Sequence, residues 1–568
     1  MSGRSAPLGG AAIGIVLACS PAAADAQAHR RHTPRPPSAL ERRVEALSRT
    51  VEVLDARLTE ETRARQAMEA QLQSAKAEAA ASRADAQAAR AELDAQIETI
   101  PSDVSKAVEA QAENAPGFRF RGVTITPGGF LAAEGIYRSK NEASDISSNF
   151  SRIPFGNSPL AHTDELRFTA RQTRLSLLVQ GDINSQTRAG FYGEFDFQAA
   201  AQTANSVESN SYNPRMRHLY GTLDWNASGL HLLAGQNWSL VTLNAKGITP
   251  RNEAPPPQID GQYIPGFAWA RQPQIRLVKD WNATVWAALS VENPQTSFAG
   301  VATGVSSTAG GVTVLTVTPG ISGFDSSNNL SLNHLPDMVG KVAFEPSIGG
   351  KRPLHLEAFG LWRSYDVRVS VAPGNALGLS PGTFSSDAHG GGFGGSAVFT
   401  AIPGRLDLQG SILSGRGIGR YGSAQLPDVT LKPDGDVAPI HETMFLVGAT
   451  WHATPALDVY VFGGEERQKS KHFDDPSGHY GYGNPAASFT AAGCTTEGGV
   501  CVPNIRKVAQ VTVGAWQKAF TGSFGQIRLG VQYSHTKLTG FVGREGYVPK
   551  TSEDMVFTSF RYYLPTPN

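Results

Sequence analysis

The sequence predicts an all-β transmembrane barrel of about 16 antiparallel strands, preceded by a long α-helical coiled coil. Three observations predict it. A heptad repeat runs from Leu40 to Ile100, short segments of alternating polarity fill the chain after Phe118, and the first residues have the form of an export signal.

The start comes first. Arg4 gives a short basic beginning, and Leu8 to Ala18 are almost all apolar or small. Ala22, Ala24, Ala26 and Ala28 then supply small-x-small cleavage patterns, so residues 1–28 read as a signal peptide. Val16-Leu17-Ala18-Cys19 also resembles a loose lipoprotein box. The simpler reading makes Cys19 part of the signal. The other two cysteines lie in Cys494-Thr-Thr-Glu-Gly-Gly-Val-Cys501. In an oxidising compartment, two cysteines bracketing a glycine-containing turn read as a small loop disulfide.

Residues 29–39 form a basic, Pro-rich spacer, and the character then changes. From residue 40 to 100 the chain is rich in Ala, Glu, Arg, Gln and Leu and lacks Gly and Pro, which favours one long helix. Leu40, Val44, Leu47, Val51, Leu54 and Leu58 alternate steps of four and three. A single helix would leave that stripe in water, so the stripe predicts a coiled-coil seam. At 1.5 Å per residue the helix spans roughly 90 Å. With Leu40, Leu47 and Leu54 at d, Val44 and Val51 fall at a, and β-branched a with Leu d favours two strands. The later half has an Ala/Ser seam and buries less. Residues 101–117 form a linker that begins with Pro101 and ends at Pro116-Gly117.

The remainder, residues 118–568, reads as strands. In the stretch Gln526 to Thr536, Ile527, Leu529, Val531 and Tyr533 oppose Gln526, Arg528, Gln532, Ser534 and Thr536. Phe191, Phe195 and Phe197 likewise oppose Tyr192, Glu194 and Asp196. One-sided alternation fits a soluble sandwich as well as a barrel with a wet lumen. Aromatic residues at strand ends, long polar loops alternating with short connections, and an aromatic last strand from Met555 to Tyr563 favour the barrel. About 450 residues at about 28 per strand and loop give around 16 strands.

Composition narrows the function. The chain has 568 residues, 60 of them Gly, and a formal net charge of zero. It has no basic run interleaved with aromatics, so no nucleic-acid partner is expected. No stretch after the signal is apolar for the ~20 residues of a membrane helix, which leaves strands as the spanning elements.

Several stretches carry a resemblance. They are Ala170-Arg-Gln-Thr-Arg-Leu175, Gly193-Glu-Phe-Asp-Phe197, Arg215-Met-Arg-His-Leu-Tyr220, Ala270-Arg-Gln-Pro-Gln-Ile-Arg276 and Gly415-Arg-Gly-Ile-Gly-Arg-Tyr421. Together with the order of signal, coiled coil, linker and barrel, they resemble the DcaP-like trimeric outer-membrane porins over nearly the whole chain. The resemblance implies a homotrimer, each protomer a 16-stranded barrel narrowed by an inward loop. It also implies passive uptake of small, often anionic, solutes such as carboxylates. Two features depart from the pattern. The heptads point to two strands rather than three, and Leu564-Pro-Thr-Pro-Asn568 follows the aromatic Tyr563 that usually ends such chains.

Within that frame, residues 240–267 are the constriction candidate, with Pro255-Pro-Pro257 to stiffen them and Lys246 and Arg251 to face a solute. The competing reading is an exposed loop. Strand parity sends Arg174, Arg276, Arg528 and Arg561 inward, where arginines would bind carboxylates bidentately. Arg217 and Arg271 fall on the outward parity and need a bulge or a place beyond the membrane edge. Glu194, Asp196 and Glu357 are the acids expected to oppose the arginines. Alternatively these charges only pair with one another to solvate the lumen.

Gly417-Ile-Gly-Arg-Tyr-Gly422 matches a dinucleotide fingerprint, but a proline follows where a helix must start, so it reads as a turn. No catalytic pair, metal motif or cofactor site stands out. The expected setting is the outer membrane, with lipid and lipopolysaccharide around the barrel and the coiled coil in the periplasm, within reach of peptidoglycan. A non-conducting outer-membrane tether and a secreted β-sandwich on a stalk are the alternatives.

Overall fold

The alternating segments pair with their neighbours along the chain until the last meets the first. In the computed structural model the described residues are 117–565, without 200–211, 300–305, 321–328, 476–477 and 486–489, together with scattered residues between 43 and 90. Residues up to Ala107 and residues from Val108 onward are two separate units. In the first unit the described residues, among them Arg43, Met68, Glu69 and Arg90, are helical and exposed. The predicted seam of Leu40, Val44, Leu47, Val51, Leu54 and Leu58 lies outside the described residues, as do the signal and the spacer.

The second unit is a closed antiparallel barrel of 16 strands. They are β1 (Val123–Arg138), β2 (Arg174–Asn184), β3 (Thr187–Asp196), β4 (Arg215–Trp225), β5 (Leu230–Trp238) and β6 (Arg271–Trp281). Next come β7 (Val285–Glu292), β8 (Asp337–Phe344), β9 (Arg352–Val371), β10 (Gly382–Ile402) and β11 (Leu406–Arg416). The last are β12 (His441–Thr454), β13 (Leu457–Gln468), β14 (Ile505–Gly522), β15 (Gly525–Gly540) and β16 (Lys550–Tyr563). Closure runs from Phe130 opposite Tyr563 to Arg138 opposite Met555. The tail past Tyr563 does not disturb it, since the Leu564 N–H donates to the Gly129 carbonyl at 3.0 Å. A single closed sheet replaces the two-sheet sandwich that alternation alone left open, and its closure pairs the first of the sixteen strands with the last.

Polarity sets which face is which. Along β15, Leu529, Val531 and Tyr533 are exposed outward while Gln532, Ser534 and Thr536 are buried inward. The same order holds on β6, where Ile275 and Leu277 stand out and Gln274 and Arg276 point in. An apolar outside around a polar inside is the inverse of a water-soluble domain and suits a lipid surround. Among the described residues, no helix is long and apolar enough to cross a membrane.

The two ends of the barrel differ. At one end the connections are short, as at 185–186, 403–405 and 455–456; at the other they are long, as at 239–270, 417–440 and 469–504. The long ones bring apolar side chains into the barrel. Phe150, Ile153, Ile259, Tyr263, Ile264 and Phe267 join Ile136, Tyr460, Phe462 and Phe557 of the wall in one buried cluster. In the connection before β14, Cys494 and Cys501 form the expected disulfide, with Cα atoms 4.7 Å apart.

Candidate pore constriction

The connection from residue 239 to 270 carries apolar residues at close intervals, and they decide where it lies. Leu240, Val241, Leu243, Ile248, Ile259, Ile264 and Phe267 are all buried. Burying them inside the barrel obliges the wall to satisfy the loop's backbone. It does so around much of the circumference. Glu292 on β7 accepts from the Leu240 N–H at 2.8 Å, and Glu357 on β9 from the Asn244 N–H at 3.1 Å. Gln532 on β15 accepts from Ile259 at 2.6 Å, and Glu466 on β13 from Gly266 at 2.8 Å. In the other direction Trp516 Nε1 donates to the Pro257 carbonyl at 2.7 Å, and Gln409 Nε2 to that of Ala254 at 2.8 Å. Pro255, Pro256 and Pro257 bring no N–H that would need a partner.

Around this loop the arginines divide into two kinds. Arg561 is held by Glu134 and Gln172, each at 2.7 Å. Arg276 donates to Gln274 Oε1 at 3.0 Å and to the Trp238 carbonyl, fixing the start of the loop. By contrast Arg174 lies over the Phe130 ring, Arg251 over Tyr192 and Arg528 over Tyr563. Among the described residues, none of Arg174, Arg251, Arg271, Arg276 and Arg528 has a carboxylate ion partner. Lys246 stands exposed on the loop.

The acids are engaged differently from the opposition the sequence implies. Glu194 and Asp196 sit on β3 beside the arginines of β4. Arg217 reaches Glu194 at 2.6 Å and Asp196 at 2.9 Å, and Arg215 holds Asp196 from the other side at 2.7 Å. Glu357 takes Lys341 at 2.9 Å, His355 at 2.9 Å and Ser396 at 2.6 Å, besides the loop. It is an anchor.

Arg217 reaches these acids through a bulge. The β3–β4 register shifts after Glu194, which faces His218, while Phe195 faces Met216. The extra residue turns both Arg217 and His218 inward. Arg271 solves the same parity problem by sitting at the end of its strand, stacked on Trp238 and Trp269. Further buried charges, such as Arg363 between Asp337 and Asp428, escaped a reading that looked only for solute-binding groups. Inward parity alone would have placed Arg363 and Asp337 in the lumen.

Cavities flank the loop. One of about 260 Å³ lies between Arg251, Glu253, Pro255 and Tyr263 of the loop and Arg174, Glu194, Arg217 and Tyr220 of the wall. Another of about 290 Å³ lies between Pro255–Gly261 and the wall residues Tyr460, Trp516, Arg528 and Arg561. At the mouth, about 510 Å³ is lined by Arg215, Trp269, Arg271 and Arg420. Arginines crowd the phenol of Tyr263 in the first cavity. Burial by itself would raise the Tyr263 phenol, yet Arg217, Arg174 and Arg271 hold it below its usual value. On the same loop burial pushes the Glu253 carboxyl up, and that of Asp260 to about 6.

No protein-family signature and no curated protein matches the sequence. Solved structures do. The outer membrane channel DcaP of Acinetobacter baumannii is 17% identical, with a TM-score of 0.53 over 78% of this chain and 99% of its own. The anion-selective porin of Comamonas acidovorans is 13% identical, with a TM-score of 0.40 over 78% of this chain and 100% of its own. Pseudomonas putida OprB is 11% identical, with a TM-score of 0.41 over 77% and 94%. The barrel with its inward loop therefore has the 16-stranded porin fold, in a form similar to that of the DcaP channel.

Proposed function

We propose that this protein is an outer-membrane channel that passes small hydrophilic solutes by passive diffusion and favours anions, carboxylates among them. One observation carries the reading: a loop seated inside the closed barrel narrows it beside arginines that, among the described residues, have no carboxylate ion partner. Arg174 and Arg251 border the cavity of about 260 Å³, and Arg528 the one of about 290 Å³. Each offers a charge that persists at any working pH and a planar fork matched to a carboxylate. Glu194 and Glu253 on the same cavity limit how strongly it holds an anion, which suits release as much as entry. Of the inward residues, Arg174, Arg251 and Arg528 are assigned to the solute path, with exposed Lys246 beside it. Arg276, Arg561 and Glu357 anchor the loop and wall, and Arg217 neutralises Glu194 and Asp196.

Planar-bilayer conductance with a reversal potential under a salt gradient tests this. The expected result is a conducting channel whose reversal potential lies toward that of the anion. The double variant Arg174→Ala, Arg251→Ala should lower the anion-to-cation permeability ratio by up to about 30-fold, from about 1 kcal/mol per charge in a wet lumen. A cation-selective wild type would sink the anion preference, and a barrel that inserts without conducting would leave a tether.

The fold also supports the assembly that the sequence resemblance implies. Three barrels would lie side by side in the membrane, with residues 40–100 joining them as a periplasmic coiled coil and the basic spacer at its far end meeting peptidoglycan.

A further inference from the structure

At the end with short connections, two stretches of the wall carry the same pattern. On β4–β6, His231 stands between Asp224 and Asp280, one residue on each of three neighbouring strands. Its Nδ1 lies 2.8 Å from Asp224 and its Nε2 3.2 Å from Asp280. On β11–β13, His452 stands between Asp407 and Asp458, with Nε2 3.1 Å from the first and Nδ1 2.6 Å from the second. The histidines sit on β5 and β12, seven strands apart in a ring of 16, so the two groups lie on nearly opposite sides of the lumen.

A carboxylate only accepts hydrogen bonds, so a ring with a carboxylate at each nitrogen donates from both. That ring is an imidazolium, and its charge offsets one of the two acids. The acids are fixed in turn. Asp280 accepts the Ala283 N–H at 2.9 Å, Asp407 accepts the Thr400 hydroxyl at 2.7 Å, and Asp458 takes Lys518 of β14 at 3.1 Å. Asp224 stands opposite Arg188 of β3, which pairs with Asp182 at 2.9 Å.

Both groups border the space beside the inner loop. His231 and Asp224 share a cavity of about 320 Å³ with Arg251 of the loop, and Trp286 of β7 stacks on the ring at 6.0 Å. His452 and Asp458 share the cavity of about 290 Å³ with Arg174, Arg528, Arg561 and Asp260. A third histidine gives the contrast. His355 lies between Glu345 at 2.6 Å and Glu357 at 2.9 Å, but it is only 2% exposed, and both its acids accept N–H groups of the loop. It belongs to the anchor. His231 and His452 are 16% and 30% exposed, on the open side.

We infer that His231 and His452 are specificity-determining residues at the inner mouth of the channel, where each imidazolium offsets one carboxylate of its pair and keeps the exit passable to anions. This deepens the channel reading and rests on it, with the short connections on the periplasmic side. Imidazole is the side chain whose charge changes near neutral pH. Once both rings lose their second proton, Asp224, Asp280, Asp407 and Asp458 face the lumen with only Arg188 and Lys518 on the adjoining strands to offset them.

Reversal potentials of the full-length protein in planar bilayers, taken from about pH 5 to about pH 10 across the unperturbed histidine value of ~6.5, test it. The wild-type anion-to-cation permeability ratio should fall by about five- to thirtyfold as pH rises, the range for one to two unit charges at about 4 Å in water. The variant His231→Gln, His452→Gln should already show the low ratio at the acid end and change less with pH. Any titration of Asp260 or His218 is common to both proteins, so the difference between the two curves reports the two rings. The variant His231→Arg, His452→Arg should hold the high ratio up to the alkaline end. Nitrogen NMR of histidine-labelled wild type should show, at neutral pH, rings protonated on both nitrogens. A wild-type ratio that does not fall, or a folded Gln variant with the wild-type curve, would overturn the proposal. Absence of doubly protonated rings would do so even if no variant folded. A cation-selective wild type that still shifts with pH would overturn only the anion preference, and one that conducts nothing would overturn both readings.

Discussion

Single residues decide whether the inner loop seats. Gly266 is the tightest point. Its φ is +94°, and a Cβ there would fall 1.9 Å from the Phe445 carbonyl oxygen of the wall. No side chain fits without moving backbone, and the Gly266 N–H bond to Glu466 would go with it. Gly266→Ala should therefore cost roughly 1–3 kcal/mol, the range for strain at a special backbone position. The measurements are the urea midpoint of unfolding and the single-channel conductance, which should become noisier or larger as the loop lifts; an unchanged trace and midpoint would count against the seating. Asp260 sets a pH dependence. It accepts the Gln262 N–H at 2.9 Å and the Ser148 N–H at 3.2 Å. Burial still pushes it up to about 6, against the pull of those bonds and of Arg138. Its value is thus above the ~3.9 of an unfolded chain. The stability it contributes is then full below about pH 4 and is lost as pH rises through about 6. Hydrogen exchange of residues 258–264 should quicken across that window in the wild type, and Asp260→Asn should flatten the change.

Among the elements, the inner loop was only partly legible, and the coiled coil is an expectation on residues outside the described ones. Pro255-Pro-Pro257 and the basic Lys246 and Arg251 marked out residues 240–267. Their inward course was not legible, because it depends on acceptors such as Glu292, Glu466 and Gln532, which come from strands far away in sequence. The seam from Leu40 to Leu58 is local and periodic, so it reads without a fold. If it holds copies together, deleting residues 40–100 should leave barrels that conduct but separate into monomers at lower detergent concentration, measured by light scattering. An oligomer unchanged by the deletion would assign assembly to the barrels alone. Removing only residues 29–39 should abolish co-sedimentation with peptidoglycan and leave the oligomer intact.

At the scale of the whole molecule, the sequence by itself determined the strand class and, for the strands whose alternation it reads, which face turns inward and which outward. Those follow from a period of two and from turn residues, both properties of neighbouring positions. It also placed Arg174, Arg276, Arg528 and Arg561 inward, and joined Cys494 to Cys501. Tertiary structure alone decided how the charges are used. Arg174 and Arg561 share an inward parity, yet Arg561 is ion-paired to Glu134 across the closing seam while Arg174 lies over the Phe130 ring beside a cavity. Arg217 breaks its parity through one bulged residue and ends between two carboxylates. The seam with Glu134 exists only once β16 meets β1, more than four hundred residues apart in sequence. Alternation fixes the side of the sheet a residue faces, because that is geometry along one strand. Its partner is fixed by register and closure, which no local pattern contains.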